Sequence, residues 1–157
     1  MKLLVHLFLP LFITLLPQQK TSDSYYLSLS SNEKNKIDEQ IRSLEEQSTS
    51  SQTRAYYGAI LMKRSSFEDI VKNKIAMFRK GHDLLEEEID AFPKNIEYRF
   101  LRLAVQENAP NILGYNTDIK VDKSIIVKQY KELPSTLKSH ILSYCKSSKI
   151  LSSEELL

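Results

Sequence analysis

Residues 75–105 read IAMFRKGHDLLEEEIDAFPKNIEYRFLRLAV, and this stretch decides the fold. Ile75, Phe78, Leu85, Ile89 and Phe92 recur at helical intervals, so a helix formed here gathers them into one apolar stripe. Phe92-Pro93-Lys94-Asn95 then interrupts the pattern. Pro93 cannot continue a helix, and the Asn95 side chain is suited to cap the next one. Ile96, Phe100 and Leu103 restart the period on one face, with Leu101, Ala104 and Val105 on another. The reading is two amphipathic helices folded back on each other around the corner, and the class is all-α. The second helix is apolar on more than one face and belongs at the centre, with Arg99, Arg102 and Gln106 as its only polar stripe.

Working outward, the same grammar recurs. Ser30-x-x-Glu33 has the form of a capping box opening a helix with Ile37, Ile41 and Leu44 on one side. Ser48-Thr49-Ser50-Ser51 ends it. A further helix over about 52–64 packs Tyr57, Ile60 and Leu61, and Gly58 within it marks a close helix contact. Ser65-x-x-Glu68 is a second capping-box candidate. Downstream of Glu107-Asn108-Ala109-Pro110, a loop over 111–117 leads to a helix from about Asp118 with Ile119, Ile126, Tyr130 and Leu133. Pro134-Ser135 breaks and caps again, before a last helix carrying Leu137, Ile141 and Tyr144. The expectation is about six helices in antiparallel hairpins over 31–147, an extended lead-in over 23–30 whose Tyr25, Tyr26 and Leu27 rest on the domain, and a loosely docked tail over 148–157.

The first residues supply an address. Met1-Lys2 precedes an apolar run from Leu3 to Leu16 that contains Pro10, and polar Gln18-Gln19-Lys20-Thr21-Ser22 follows. That is the charged, apolar and polar succession of a secretory signal peptide over 1–22, and the run is short of the ~20 apolar residues of a spanning helix. The chain is therefore expected to be exported, to a periplasm or beyond, and to meet the membrane only through this leader before its cleavage; an uncleaved short anchor is the alternative. Cuts after Pro17 and after Ser22 are both compatible with it.

Composition bounds the chemistry. The chain has 157 residues, 41% apolar and 27% charged, room for one globular domain. The 22 basic residues lose Lys2 and Lys20 with the leader, leaving 20 against 20 acidic ones. A neutral mature domain lacks the footprint of a nucleic-acid binder. Cys145 is the single cysteine, so no intrachain disulfide forms, and neither a structural zinc site nor a cofactor is implied.

Part of the chain resembles the tetratricopeptide repeat family. Gly81, Leu85 and Pro93 fall at the small, large and proline positions of that repeat's second helix, and Pro93-Lys94-Asn95 resembles its inter-repeat turn. The match covers about one repeat. The next helix departs from the pattern, with Arg99, Arg102 and Leu103 in place of the large aromatic, Leu and Gly. A second resemblance runs from Tyr57 to about Tyr130. Ala55-Tyr56-Tyr57-Gly58-Ala59, Phe92-Pro93-Lys94-Asn95-Ile96-Glu97, Arg99-Phe100-Leu101-Arg102-Leu103 and Gln106-Glu107-Asn108-Ala109-Pro110 with Leu113-Gly114-Tyr115 look like a group of small exported Bacteroidota proteins. That likeness implies an exported helical domain and carries over no catalytic residue.

Four candidate features stand out. His82 and Glu86 have metal-clamp spacing, but His82 lies on the apolar stripe and reads as a core-edge histidine with no third ligand nearby. His140 and Cys145 are five apart, hence on different helix faces. Glu86-Glu87-Glu88 reads as a solvated face. Arg99 and Arg102 sit on the most buried helix, where a cation needs a partner. Asp122 interrupts the apolar stripe of the following helix and is the favoured internal one. Alternatively, Arg99 and Arg102 with Asn108 and Tyr115 form a site for a ligand or peptide carboxylate. The expected function is a non-catalytic adaptor binding a protein or peptide in the cell envelope through a groove between hairpins. The alternative is an enzyme or small-ligand binder built on the Arg/Asn/Tyr cluster.

Overall fold

The computed structural model describes residues 16–47 and 49–157, and it is helical throughout, with no strand among them. The helices are α1 (Leu16–Ser30), α2 (Lys34–Glu45), α3 (Ser51–Ser65), α4 (Val71–Ala91), α5 (Ile96–Asn108), α6 (Ile119–Gln129) and α7 (Ser135–Cys145). Short 3-10 turns cover Asn111–Leu113, Tyr130–Glu132 and Ser153–Glu155. The apolar run of the expected leader lies outside the described residues up to position 15. No helix among the described residues is long and apolar enough to cross a membrane.

Two helices form the centre. α3 is buried on almost every side and touches α1, α2, α4 and α5, while α5 packs on α3, α4 and α6. The all-round apolar character of α5 put it there as expected. The same character of α3 is carried by Ala55, Tyr56, Ala59, Ile60, Leu61 and Met62, a mixture of small and large residues with no clean stripe.

α3 and α4 run antiparallel and very close, because each contributes a glycine to the crossing. A Cβ on Gly58 would lie 2.7 Å from the Gly81 carbonyl oxygen, and one on Gly81 would lie 2.5 Å from that of Gly58. Such distances are inside van der Waals contact, so only glycine fits at both places. The tightest hairpin is thus α3–α4, whereas α4 and α5 meet at the Phe92–Asn95 corner and diverge into different pairings. Asn95 caps α5 as anticipated, its side-chain oxygen accepting from the amides of Glu97 and Tyr98 at 3.0 and 3.3 Å. Two nitrogens of Arg99 donate to the Pro93 carbonyl at 3.0 and 2.8 Å and close the corner.

Several expectations are corrected. Residues 23–30 are helical, as part of α1, so there are seven helices. Tyr25 and Tyr26 are both buried against α3 and α5, and that tertiary burial overrides the weak helix propensity of Asp-Ser-Tyr-Tyr-Leu-Ser-Leu-Ser. Neither capping box forms. Ser30 ends α1 and donates to the Tyr26 carbonyl, while Ser65 ends α3 and donates to that of Met62. A hydroxyl can bond back to its own helix as readily as forward to a new one, and the sequence pattern does not separate the two. The stripe of α4 is also shorter than its periodicity suggests. Ile75 is 37% and Phe92 47% exposed, because α4 has 21 residues and its partner α3 only 15, leaving both ends overhanging.

The tail is docked, not loose. Leu151 and Leu156 are buried in the core, and Ser152 with Glu155 forms a capping box on the last turn. Glu107 clasps the tail from α5. It accepts from the Tyr144 hydroxyl, from Ser148 Oγ at 2.7 Å and from the Lys149 amide at 2.5 Å.

The glycine crossing predicts unequal costs. Gly81→Ala should lose about 3 kcal/mol of stability, the overpacking penalty for a backbone that cannot retreat. Gly114→Ala, at φ +63° with open space around it, should lose only about 1 kcal/mol. Urea unfolding of the two variants checks this, and equal losses would contradict the close approach.

Candidate functional site

Arg99, Arg102 and Gln106 lie one turn apart along α5 and face Asp118, at the N-cap of α6, and Asp122 in its first turn. The two polar rows meet in an otherwise apolar interface. Arg102 Nε and Nη2 donate to the two carboxylate oxygens of Asp122 at 2.7 and 2.9 Å, and Arg99 Nη1 adds a bond of 3.0 Å. Arg102 Nη1 turns the other way and donates to Glu86 of α4 at 2.8 Å. Tyr115 reaches the same carboxylate, its hydroxyl donating at 2.5 Å. Gln106 Nε2 donates to Asp118 at 3.2 Å, as does the Thr117 hydroxyl at 2.8 Å. Asp122 is 0% and Arg102 7% exposed, so this is a buried, bidentate, charge-assisted network.

The electrostatics follow from that geometry. Burial works against the Arg102 charge, but the hydrogen bonds and charges of Asp122 and Glu86 outweigh it, and the guanidinium is held charged more firmly than usual. Burial pushes the Tyr115 phenol up, and its bond to Glu86 pushes it further. At Asp118 burial is outweighed by Thr117, Gln106 and the two arginines, which hold its carboxyl below the ordinary range.

The four residues singled out from sequence are brought together only in part. Arg99 and Arg102 share Asp122, the internal partner favoured from the interrupted stripe, and Arg102 and Tyr115 share Glu86. Asn108 lies apart, at the end of α5, where its amide donates to the Ala104 carbonyl at 2.9 Å. Gln106 Oε1 is a buried side-chain atom with no hydrogen-bond partner among the described residues.

A second polar cluster was not anticipated. Glu97 of α5 accepts from the hydroxyls of Tyr26 at 3.0 Å and Tyr56 at 2.6 Å, and from the Gln52 amide at 3.3 Å. Tyr25 stacks on Tyr56 with ring centroids 3.9 Å apart, and Tyr26 stacks on His140 at 4.1 Å. His140 Nε2 lies 3.1 Å from Asp23, so the first and last helices are joined here. Burial, then the Glu97 charge, raises the Tyr26 and Tyr56 pKa values. Burial lowers that of His140 against the opposing pull of Asp23 and Glu97. The sequence placed Tyr25 and Tyr26 against the domain but missed that their segment is helical and that Glu97 receives the Tyr26 hydroxyl, while Leu27 faces solvent.

The remaining candidates are occupied. His82 Nδ1 contacts Asp83 at 2.9 Å and its ring meets the edge of Tyr115, while Glu86 is engaged with Arg102 and Tyr115. Glu87 and Glu88 pair with Arg54 at 2.6 and 2.5 Å, so the acidic run is a clasp to α3 as well as a solvated edge. The Cys145 thiol is half-buried and pushed up by that burial. Among the described residues, no group of three or more His, Cys, Asp or Glu is placed to hold a metal ion.

One open groove lies over α3 between α2 and α4, with a volume of about 470 Å³. Tyr57 and Leu61 form its floor, Ile41 one wall, and Ala76 and Met77 the other. Asp38 and Glu45 edge the α2 side, and Lys80 the α4 side, its ammonium 5.3 Å from the Tyr57 ring centroid. Comparison with protein-family models, curated proteins and solved structures finds no match to this chain.

Removing one partner of the buried pair should be severe. Asp122→Ala is expected to lose about 3–5 kcal/mol of stability, because the buried Arg102 loses its bidentate partner and keeps only the Glu86 hydrogen bond, while the half-buried Arg99 loses its carboxylate. Tyr115→Phe, which removes one hydroxyl from a carboxylate that keeps Arg102, should lose about 1–2 kcal/mol. Chemical denaturation of both variants measures the difference. A loss under about 1 kcal/mol for Asp122→Ala would mean that the arginines are solvated.

Proposed function

We propose that this chain is an exported, non-catalytic helical binding module that receives a peptide or protein segment in the groove over α3. The groove carries the reading. Its lining is mixed: Ile41, Tyr57, Leu61, Ala76 and Met77 supply the apolar part, Asp38, Glu45, Arg64, Asn73 and Lys80 the polar and charged part, and its flanking helices are spaced by a third helix beneath. A segment laying an apolar helical stripe on Ile41, Tyr57 and Met77, with Leu61 already buried beneath, would cover surface that now faces water. Its basic residues would meet Glu45 and its acidic ones Lys80, Asp38 being already paired with Arg64. We read the α3–α4 hairpin as tetratricopeptide-like in this sense, a pair of helices whose outer surface is the binding surface.

A small-ligand site at Arg99, Arg102 and Tyr115 is the second reading, and the unpartnered Gln106 Oε1 is the observation in its favour. The two guanidinium groups there already face Asp122 and Glu86, which leaves little charge to offer an incoming carboxylate. Export rests on the signal-like pattern over 1–22. Tyr25 and Tyr26 are core residues, so processing has to spare them.

Selection from a displayed peptide library tests the binding reading. Enriched peptides should share apolar residues at helical spacing. Ala76→Arg, a change at an exposed position on the groove wall, should weaken their binding at least tenfold with unchanged thermal stability. Binding indifferent to Ala76→Arg would reject the groove. For export, the intact mass of the mature protein should place its first residue no later than Asp23. A chain that retains Met1–Leu16 would count against processing.

A further inference from the structure

The first half of α4 breaks the usual rules of a solvent-facing helix. From Ile70 to His82 the chain carries Lys72, Lys74, Arg79 and Lys80 and no acid, while Asp83, Glu86, Glu87, Glu88 and Asp90 crowd the second half. Just ahead of the helix, Asp69 is exposed and Glu68 pairs with Arg64; within the helix itself the order opposes the dipole, which favours acids at the start and bases at the end. Lys72, Lys74 and Arg79 have no ion-pair partner among the described residues, and Lys80 only faces the Tyr57 ring. Among these cations stand large aliphatic side chains in water. Ile70 is 61% and Val71 66% exposed, and Ile75 overhangs α3 as described.

Helical geometry arranges these residues in order. Val71 and Ile75, one turn apart, form a narrow apolar strip. Lys74 flanks it on one side, and Lys72 and Arg79 on the other. The groove residues Asn73, Ala76, Met77 and Lys80 lie on a different face of the helix. Ile112, almost fully exposed, is three residues from Tyr115, whose ring packs on Phe78. The loop therefore adds another aliphatic to the same end of the molecule. An aliphatic strip between two rows of unpaired cations is the pattern that seats a helix in the headgroup region of an anionic bilayer. The aliphatics reach below the phosphates and the long lysine and arginine stems extend to them.

We propose that the N-terminal half of α4 is a peripheral docking surface for an anionic lipid bilayer, with Val71 and Ile75 as the inserted residues and Lys72, Lys74 and Arg79 as the phosphate contacts. A docked molecule keeps the groove over α3 open, because that groove is on another side of the helix. The assignment is independent of what the groove binds.

The chain has no tryptophan, so a single indole reports its own surroundings without background. Ile75→Trp places one in the strip, and Val121→Trp places one at an exposed position on α6 as a control. Each full-length variant is mixed with phosphatidylcholine vesicles containing about one-third phosphatidylglycerol, and with vesicles of phosphatidylcholine alone. The indole of Ile75→Trp should shift to the blue on the anionic vesicles, be quenched by brominated acyl chains, and stay unshifted on neutral ones. The indole of Val121→Trp should remain in water on both. Adding Lys72→Gln, Lys74→Gln and Arg79→Gln to Ile75→Trp should reduce partitioning on the order of 100-fold. Vesicle binding through the apolar N-terminus alone would leave the indole of Ile75→Trp in water, and that result overturns the proposal. So would a blue shift with soluble polyglutamate and none with vesicles, which would assign the surface to an acidic protein instead.

Discussion

The contact on which the rest of the structure depends is the crossing of α3 and α4 at Gly58 and Gly81. Each backbone occupies the space that the other's Cβ would need. At that separation the side chains next to the crossing interlock tightly, and α3 can be covered on one side by α4 and still be reached by α1, α2 and α5. The arrangement makes α3 a hub, with small residues where α4 comes close and large ones elsewhere. It also sets the width of the groove, since α2 and α4 flank α3 at distances fixed by what lies beneath them.

Around that crossing the polar residues choose among alternatives that apolar packing leaves open. An interface of leucines between α5 and α6 would tolerate sliding by a turn. The bidentate Arg102–Asp122 pair, with Arg99 added and Gln106 meeting Asp118 one turn on, permits one register. Replacing such a pair wholesale by hydrophobic residues is often harmless to stability, so its value here is in specifying geometry. Glu97 serves similarly where α1, α3 and α5 meet. It gathers the hydroxyls of Tyr26 and Tyr56 onto one carboxylate, and each tyrosine is thereby oriented as well as buried.

The helical class, the Asn95 cap, the central place of α5 and the pairing of its arginines with Asp122 were legible, because each rests on a local pattern with a single physical interpretation. A polar residue breaking an apolar stripe opposite two buried cations has few other uses. What could not be read was set by partners far along the chain. Nothing in residues 23–30 announces a helix; the segment is held helical by Tyr56, Glu97 and His140. The exposed ends of the α4 stripe depend on the length of α3, a quantity absent from the α4 sequence. Ser30 and Ser65 show the limit of motif reading, since a hydroxyl followed three positions later by Glu arises at helix ends as well as at beginnings. The tail looked frayed for want of a long apolar pattern, yet two leucines and a carboxylate on α5 were enough to pin it.

The bond between α1 and α7 bears on the order in which the molecule can be completed. Asp23 and Tyr26 meet His140 across most of the length of the chain. Loop closure over such a span is entropically costly, and contacts of this kind form late. In a growing polypeptide the two neighbouring tyrosines meet their α3 and α5 partners, Tyr56, Glu97 and Phe100, before α7 exists, and only the His140 contacts wait for the last helix. The seam between the first and last helices is then the final one to shut, on a first helix already seated against α2 and α3.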